Sequence, residues 1–263
     1  MLYATLSDRT VIRLSGEDRI AFLQGLITND ANLLTQGEVL YAALLSPQGK
    51  FLHDFFLIPY AEQILLDINK TRAADLIGRF NVYKLRSKVQ IEMTDMKVTA
   101  LWDNPISQQP PAALSYPDPR LPALGWRVYG EVDISGATQG DYEFHRVTLG
   151  VPDGATDMHI EKSFLLEFDF ERLRGVNFSK GCYVGQEVTA RSKFRGQVRR
   201  QLTRISAEKI LPPLGTSVTS DGVIIGELRS TSGSVGLALL NIEALEKAAS
   251  PLMAGDIPIT VLH

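Results

Sequence analysis

The sequence predicts an α+β protein whose C-terminal part is entirely β. Up to residue 190, short apolar strands alternate with segments whose apolar residues recur three and four positions apart, the period of a helix with one buried side. Beyond that point only short strands remain, at 198–205, 223–230, 235–240 and 257–262, separated by Gly, Pro, Asp and Asn, a spacing that suits a small β-barrel or sandwich. A proline-rich connection at 104–122, with Pro105, Pro110, Pro111, Pro117, Pro119 and Pro122, interrupts the first part and is expected to run extended over the surface. The expected division is 1–190 and 191–263.

Residues 3–14 read as a strand, clearest at 10–14. Ser15 and Asp18 have the spacing of a capping box, and Ile20, Leu23, Leu26 and Ile27 then fall on one helix side. Thr28, Asn29 and Asp30 end that helix, read equally well as a C-cap or as a functional run. Strands follow at 39–45 and 51–58, joined by Ser46-Pro47-Gln48-Gly49, which suits a type I turn. His53 and Asp54 are neighbours on the second of these strands and so face opposite sides; His53 is expected to be structural. After a strand at 65–68, Asn69 can cap a helix with Ala73, Leu76, Ile77 and Phe80 inward. Lys84, Arg86 and Lys88 alternate and would share one face of an extended chain, a solvated face or an anion site. Strands at 89–92, 98–102 and 125–129 and a helix at 141–149 complete the first part.

Composition narrows the class. In 263 residues, 44% are hydrophobic and 22% charged, with a net charge of −3, so a general nucleic-acid or membrane-surface role is not indicated. A single cysteine excludes an intramolecular disulfide and fits a reducing compartment. The first residues have neither a signal-peptide run nor an Arg-rich transit pattern, and no stretch approaches the ~20 apolar residues of a membrane helix. A cytoplasmic location is expected, a trimmed organellar matrix form being the alternative. The histidines, at 53, 145, 159 and 263, lack metal-ligand spacing, and one thiol falls short of the four that usually hold an iron–sulfur cluster.

Lys180-Gly181-Cys182-Tyr183-Val184-Gly185-Gln186-Glu187, with Arg191 shortly after, contains the only cysteine. Two glycines flank it, and Lys180 and Arg191 bring positive charge near a probable helix start, a setting that favours thiolate. A small buried residue is the ordinary alternative for a lone Cys. The surrounding polar residues argue against it.

This stretch resembles the signature of the YgfZ family, the tetrahydrofolate-linked proteins of iron–sulfur cluster assembly and repair, which are related to the glycine-cleavage T-protein. Eight consecutive positions match, one of them free and one any aromatic. Gly25 with Thr28, Asn29 and Asp30, the segment Gly125-Trp126-Arg127, and Glu167 match more loosely. The resemblance implies three small domains in a ring around a folate cavity, two intertwined α+β subdomains and a C-terminal β-barrel. It implies tetrahydrofolate or a derivative as cofactor, and iron–sulfur assembly factors or client iron–sulfur enzymes as partners of a monomer. Cys182 would be the reactive thiol. Lys180, Gly181, Tyr183, Gln186, Glu187, Arg191, Glu167 and Trp126 would contact the folate, with Glu167 accepting from the pterin, the basic run 191–200 holding the glutamate tail, and Trp126 or Tyr183 stacking. A folate-dependent aminomethyltransferase is the alternative, and a nucleic-acid module using Phe194 and the basic residues of 191–204 is a weaker one.

Overall fold

Alternating side-chain direction along the strands builds a sheet that is apolar on both faces. The computed structural model describes residues 2–103, 109–110, 114–132, 136–196 and 198–262. The chain opens with β1 (Leu2–Thr5), β2 (Arg9–Ser15), α1 (Arg19–Gln24), β3 (Leu40–Leu45), β4 (Phe51–Tyr60), β5 (Gln63–Asn69), α2 (Ala73–Lys84) and β6 (Gln90–Met93). Five of these strands form an antiparallel sheet in the order β3-β4-β5-β2-β6. Ile12, Leu14, Ala42, Leu44, Leu57 and Leu66 on one face pack with Phe22 and Leu23 of α1 and with Leu76 and Phe80 of α2. Val11, Tyr41, Ala43, Leu45, Phe56 and Leu65 belong to the second core on the opposite face, as the period of two requires.

β7 (Val98–Trp102), β8 (Ser115–Pro117) and β9 (Trp126–Tyr129) join β1 in a four-stranded sheet of order β1-β7-β9-β8. Val98, Ala100 and Trp102 point into the shared core with Phe56 and Tyr41, so the two sheets meet there. α3 (Gln139–Thr148) begins with a capping box between Thr138 and Asp141. α4 (Gly154–Asp157) and α5 (Gln186–Phe194) lead to a closed barrel. Its strands are β10 (Arg200–Ser206), β11 (Ser217–Ser220), β12 (Val223–Ser232), β13 (Val235–Asn241), β14 (Leu252–Ala254) and β15 (Ile257–Leu262). They close in the order β10-β13-β12-β11-β14-β15 around Ile205, Val218, Leu228, Ala238, Leu240 and Ile259. Leu202, Leu237 and Leu239 turn outward from the barrel into the shared core. The buried Arg146 of α3 ties the barrel down by donating to Ser230 Oγ at 2.9 Å and to Asp157 at 3.2 Å.

A buried ionic cluster joins the two sheets. Asp67, fully enclosed on β5, accepts from Arg9 Nε at 2.7 Å, Arg127 Nη2 at 2.6 Å and the Tyr129 hydroxyl at 3.2 Å. The Arg127 guanidinium also lies 4.0 Å from the centre of the Phe56 ring, with Arg120 at 4.8 Å. Arg120 in turn is held by Asp118 at 2.8 Å. These groups are satisfied internally, the condition under which buried charges are tolerated.

The structure departs from the expected elements at identifiable places. The strand expected over 3–14 is two strands, β1 and β2. Asp18 does not complete a capping box with Ser15; its carboxylate accepts from the Lys88 backbone N–H at 2.7 Å, and α1 starts without a side-chain cap. Thr28, Asn29 and Asp30 lie beyond the end of α1 rather than at it. Lys84 is the last residue of α2 and Leu85 turns the chain at φ +44°, so Lys84, Arg86 and Lys88 do not alternate on one extended face. Asn69 does cap, accepting from Thr71 N at 3.0 Å at the short turn that leads into α2. The turn at 46–49 closes with Gly49 N donating to Ser46 O at 2.8 Å. Part of the proline-rich connection, 104–108 and 111–113, lies outside the described residues.

Candidate functional site

The cysteine loop is built on a buried lysine. The Lys180 ammonium donates to the backbone carbonyls of Gln24 at 2.9 Å, Ile27 at 2.6 Å and Asn29 at 2.8 Å. These carbonyls follow the end of α1, where helix acceptors lack partners. Burial lowers the Lys180 amine to about 8, partly offset by Asp30. The Tyr183 ring lies 5.0 Å from the same ammonium and is itself buried, which raises its phenol to about 12. Between these two buried side chains, Gly181 and Cys182 are exposed. The loop is pinned at both ends. Asn177 Oδ1 accepts from Ser179 N and Lys180 N, and Val184 N donates to Gly25 O. Gly185 then crosses the 46–49 turn so closely that an added Cβ would lie 2.6 Å from Ser46 O.

Beside this loop is a cavity of about 740 Å³, lined among others by Asn29, Tyr116, Arg174, Phe178, Ser179 and Lys193. Asn29 is fixed there because its amide donates to Tyr41 O and Arg174 O, while Thr28 joins Ala43 to Gly175 through its hydroxyl. The Thr28-Asn29-Asp30 run is therefore a strap that holds the cavity wall to β3. Arg174 sits in the left-handed region at φ +55°, an uncommon conformation for a side-chain-bearing residue. Lys193, on α5, lies over the Phe178 ring at 4.7 Å and pairs with Glu171. Glu38, exposed on the rim, has no ion pair among the described residues.

The expected site residues separate into groups. Lys180, Gly181, Cys182, Tyr183, Gln186, Glu187 and Arg191 share one corner, but none of them lines the cavity. Lys180 and Arg191 each have partners of their own: the first is enclosed by carbonyls, and the second pairs with Glu187 at 2.6 Å one helical turn away. Glu167 receives the cation its burial demands from within the chain. Arg200 contacts both its oxygens, at 2.9 and 3.1 Å, so the Glu167 charge is balanced without a ligand, and Glu167 does not line the cavity. Trp126 packs against Tyr3 and Leu101 on the far face of the four-stranded sheet and offers no stacking face to the cavity. His53 is enclosed at 2.8 Å from Asp75, and burial lowers its imidazole to about 4, so it is neutral and structural. Asp54, its neighbour, faces the opposite way and accepts from the Tyr41 hydroxyl at 2.9 Å. Among the described residues, half of the basic run that suggested nucleic acid is ion-paired, with Arg191 on Glu187, Lys193 on Glu171 and Arg200 on Glu167. Of the residues that do line the cavity, the sequence pointed to Asn29 and, within the basic run, Lys193; Tyr116, Arg174 and Phe178 carried no signal in a single sequence.

Similarity to known proteins follows the same lines. A family model described as CAF17, C-terminal beta-barrel domain, matches residues 199–263, the closed barrel. The human iron–sulfur cluster assembly factor IBA57, a mitochondrial protein by name, is 32% identical over 278 residues, spanning 92% of this chain and 78% of the relative. The chain belongs to the IBA57 family. The IBA57 homologue of Mycosarcoma maydis is 35% identical over 229 residues, which cover 77% of this chain but only 56%, about half, of that relative. The fold of this chain is in turn that of the glycine cleavage system aminomethyltransferase T from Bartonella henselae, at a TM-score of 0.77 with 15% identity, over 99% of this chain and 84% of that one, in keeping with the expected α+β arrangement and its C-terminal barrel. Among the described residues no helix is long and apolar enough to cross a membrane.

Proposed function

We propose that this protein acts in iron–sulfur cluster assembly or repair in the manner of the YgfZ proteins, with a reduced folate in the cavity and Cys182 as its working thiol. The observation that carries the reading is the exposed Cys182 on a loop fixed at both ends, in a chain of the IBA57 family. One thiol cannot supply the usual four ligands of a cluster, so the cluster is cargo: Cys182 meets it, or a partner's thiol, at the surface.

The cavity suits a folate in size and chemistry. Its 740 Å³ falls within the usual range for small-ligand sites of about 300–1,000 Å³. Tyr116 and Phe178 supply aromatic faces. A bound reduced folate would supply secondary amines able to carry one-carbon units; the chain's own residues would bind and orient it beside the cysteine loop. Glycine-cleavage activity has only the shared fold in its favour. The expected partners are iron–sulfur assembly factors or client enzymes in a reducing compartment.

The test is complementation. In a strain deleted for this protein, iron–sulfur enzyme activity should fall and glycine cleavage should persist. The intact chain should restore the lost activity and Cys182→Ser should not, although serine nearly preserves the volume. Restoration by Cys182→Ser would remove the thiol from the account. The folate half is tested by calorimetry with tetrahydrofolate, where no saturable heat at millimolar ligand would remove it.

A further inference from the structure

Lys180 stands two residues before the only cysteine, and its ammonium is taken up by backbone carbonyls from a distant part of the chain. Three carbonyls converge on the ammonium at 2.6–2.9 Å, all from residues more than 150 positions earlier in the chain. Among the described residues no carboxylate is hydrogen-bonded to it; Asp30 acts on it only through space. A buried ammonium is costly unless each of its donors is satisfied, and the satisfaction here is complete, because lysine has three N–H donors and three acceptors receive them. A neutral side chain such as Gln offers two donors and Met none. The site therefore requires a lysine where simple packing would accept an apolar residue.

The requirement has a mechanical result. We infer that Lys180 is a positioning residue, a seat that fixes the Cys182 backbone against the end of α1 so that the thiol is presented to a partner from a rigid apex. Tyr183 forms the second seat, buried and in contact with the same ammonium. Only Gly181 and Cys182 span the gap between them, both exposed. Space is open around Gly181, with no atom within 4 Å of an added Cβ, so rigidity at this apex comes from the anchors and not from crowding. A thiol that must meet an acceptor held by a second protein gains from such a mount, because less motion has to be arrested on docking. This inference rests on the reading of Cys182 as the working thiol, but its test does not.

A single cysteine permits a direct experiment. A nitroxide label on Cys182 of the full chain reports the mobility of the apex, and amide exchange of residues 179–184 reports its anchoring. Lys180→Met and Lys180→Arg are compared with the parent, with the melting curve as control. Arg keeps the charge but cannot place one compact ammonium among three convergent carbonyls. Both variants should melt cooperatively, exchange residues 179–184 on the order of tenfold faster or more, and show a label freed from its restricted motion, while barrel amides keep their protection. Parent-like exchange and label mobility in both folded variants would overturn the inference. Loss of cooperative melting in both would also overturn it, by making Lys180 a general stability residue. The complementation result for Cys182→Ser is separate: if serine complements, the function of the thiol fails while the mobility result stands.

Discussion

Asp67→Ala should be among the most damaging single substitutions outside the cysteine loop. The carboxylate is fully buried and accepts from Arg9 Nε, from Arg127 Nε and Nη2, and from the Tyr129 hydroxyl, at 2.7, 2.9, 2.6 and 3.2 Å. Arg9 keeps one bond to the Asp67 backbone carbonyl at 2.8 Å, but among the described residues the one carboxylate left near Arg127 is that of Asp118, at 3.6 Å, beside the Phe56 ring. Two guanidiniums, with side chains 6% and 3% exposed, would lose their main counter-charge. Removing one partner of a buried pair costs about 3–5 kcal/mol. With a urea slope near 3 kcal/mol/M, that lowers the unfolding midpoint by about 1 M or more. Burial pushes the Asp67 carboxyl up, but Arg127 and Arg9 outweigh it and hold it below the usual carboxylate value. A depressed carboxylate contributes stability that is present above its unfolded pKa of about 3.9 and lost as pH falls through the folded value. The difference between parent and variant should thus be full at pH 7 and shrink below about pH 4. Urea titrations followed by tryptophan fluorescence at several pH values measure both quantities. A midpoint shift equivalent to less than about 1 kcal/mol, or one that stays constant down to pH 3, would refute the account of this cluster.

Gly185→Ala should destabilise by about 1–3 kcal/mol in thermal melts, because the position has φ +81° and the new Cβ would strike Ser46 O. Arg174→Ala should weaken tetrahydrofolate binding by about 1–3 kcal/mol in calorimetry with little change in melting temperature, if its guanidinium meets the ligand. Glu167→Gln should lower stability through the lost Arg200 pair and leave folate affinity unchanged; a large affinity loss would place Glu167 back at the ligand. The His53 ring should titrate by NMR near pH 4, and stability should fall between pH 6.5 and 4, where the unfolded chain takes up a proton that the folded chain refuses.

Local patterns were legible where neighbouring residues decide the structure. The turn at 46–49, the Asn69 cap and the inward stripe of α2 depend on side chains a few positions apart, and they appear as read. The capping box at Ser15 failed for a reason no local pattern holds, since Asp18 is taken by a backbone N–H seventy residues away. Glu167 and Trp126 were read as ligand contacts because the sequence shows their chemistry and not their partners; Arg200 and the Tyr3–Leu101 packing were the missing information. The three carbonyls that seat Lys180 were not legible either, because they lie more than 150 positions earlier in the chain. The ionic cluster went unread, yet Asp67 within the apolar run Leu65-Leu66-Asp67-Ile68 is a signal of the required kind, a carboxylate placed where only a buried cation makes it tolerable. The barrel's two shortest strands, β11 and β14, are too brief to leave a pattern.

The closed barrel has a consequence for association. A closed sheet has no unpaired strand edge, so β10 to β15 offer no backbone template for strand addition by a partner or a second copy. Open edges remain elsewhere. β8 is three residues long and ends in Pro117, while β1 is partly covered where Ala137 N donates to Tyr3 O. Of the two edges of the five-stranded sheet, β3 is covered where Thr28 N donates to Ala43 O at 3.0 Å, and β6 is exposed among the described residues, carrying Glu92 paired with Arg13 beside Met93. A protein that docks on the C-terminal barrel must therefore read side chains and loops, whereas intermolecular sheet growth, if it occurs on heating or misfolding, should start at β6.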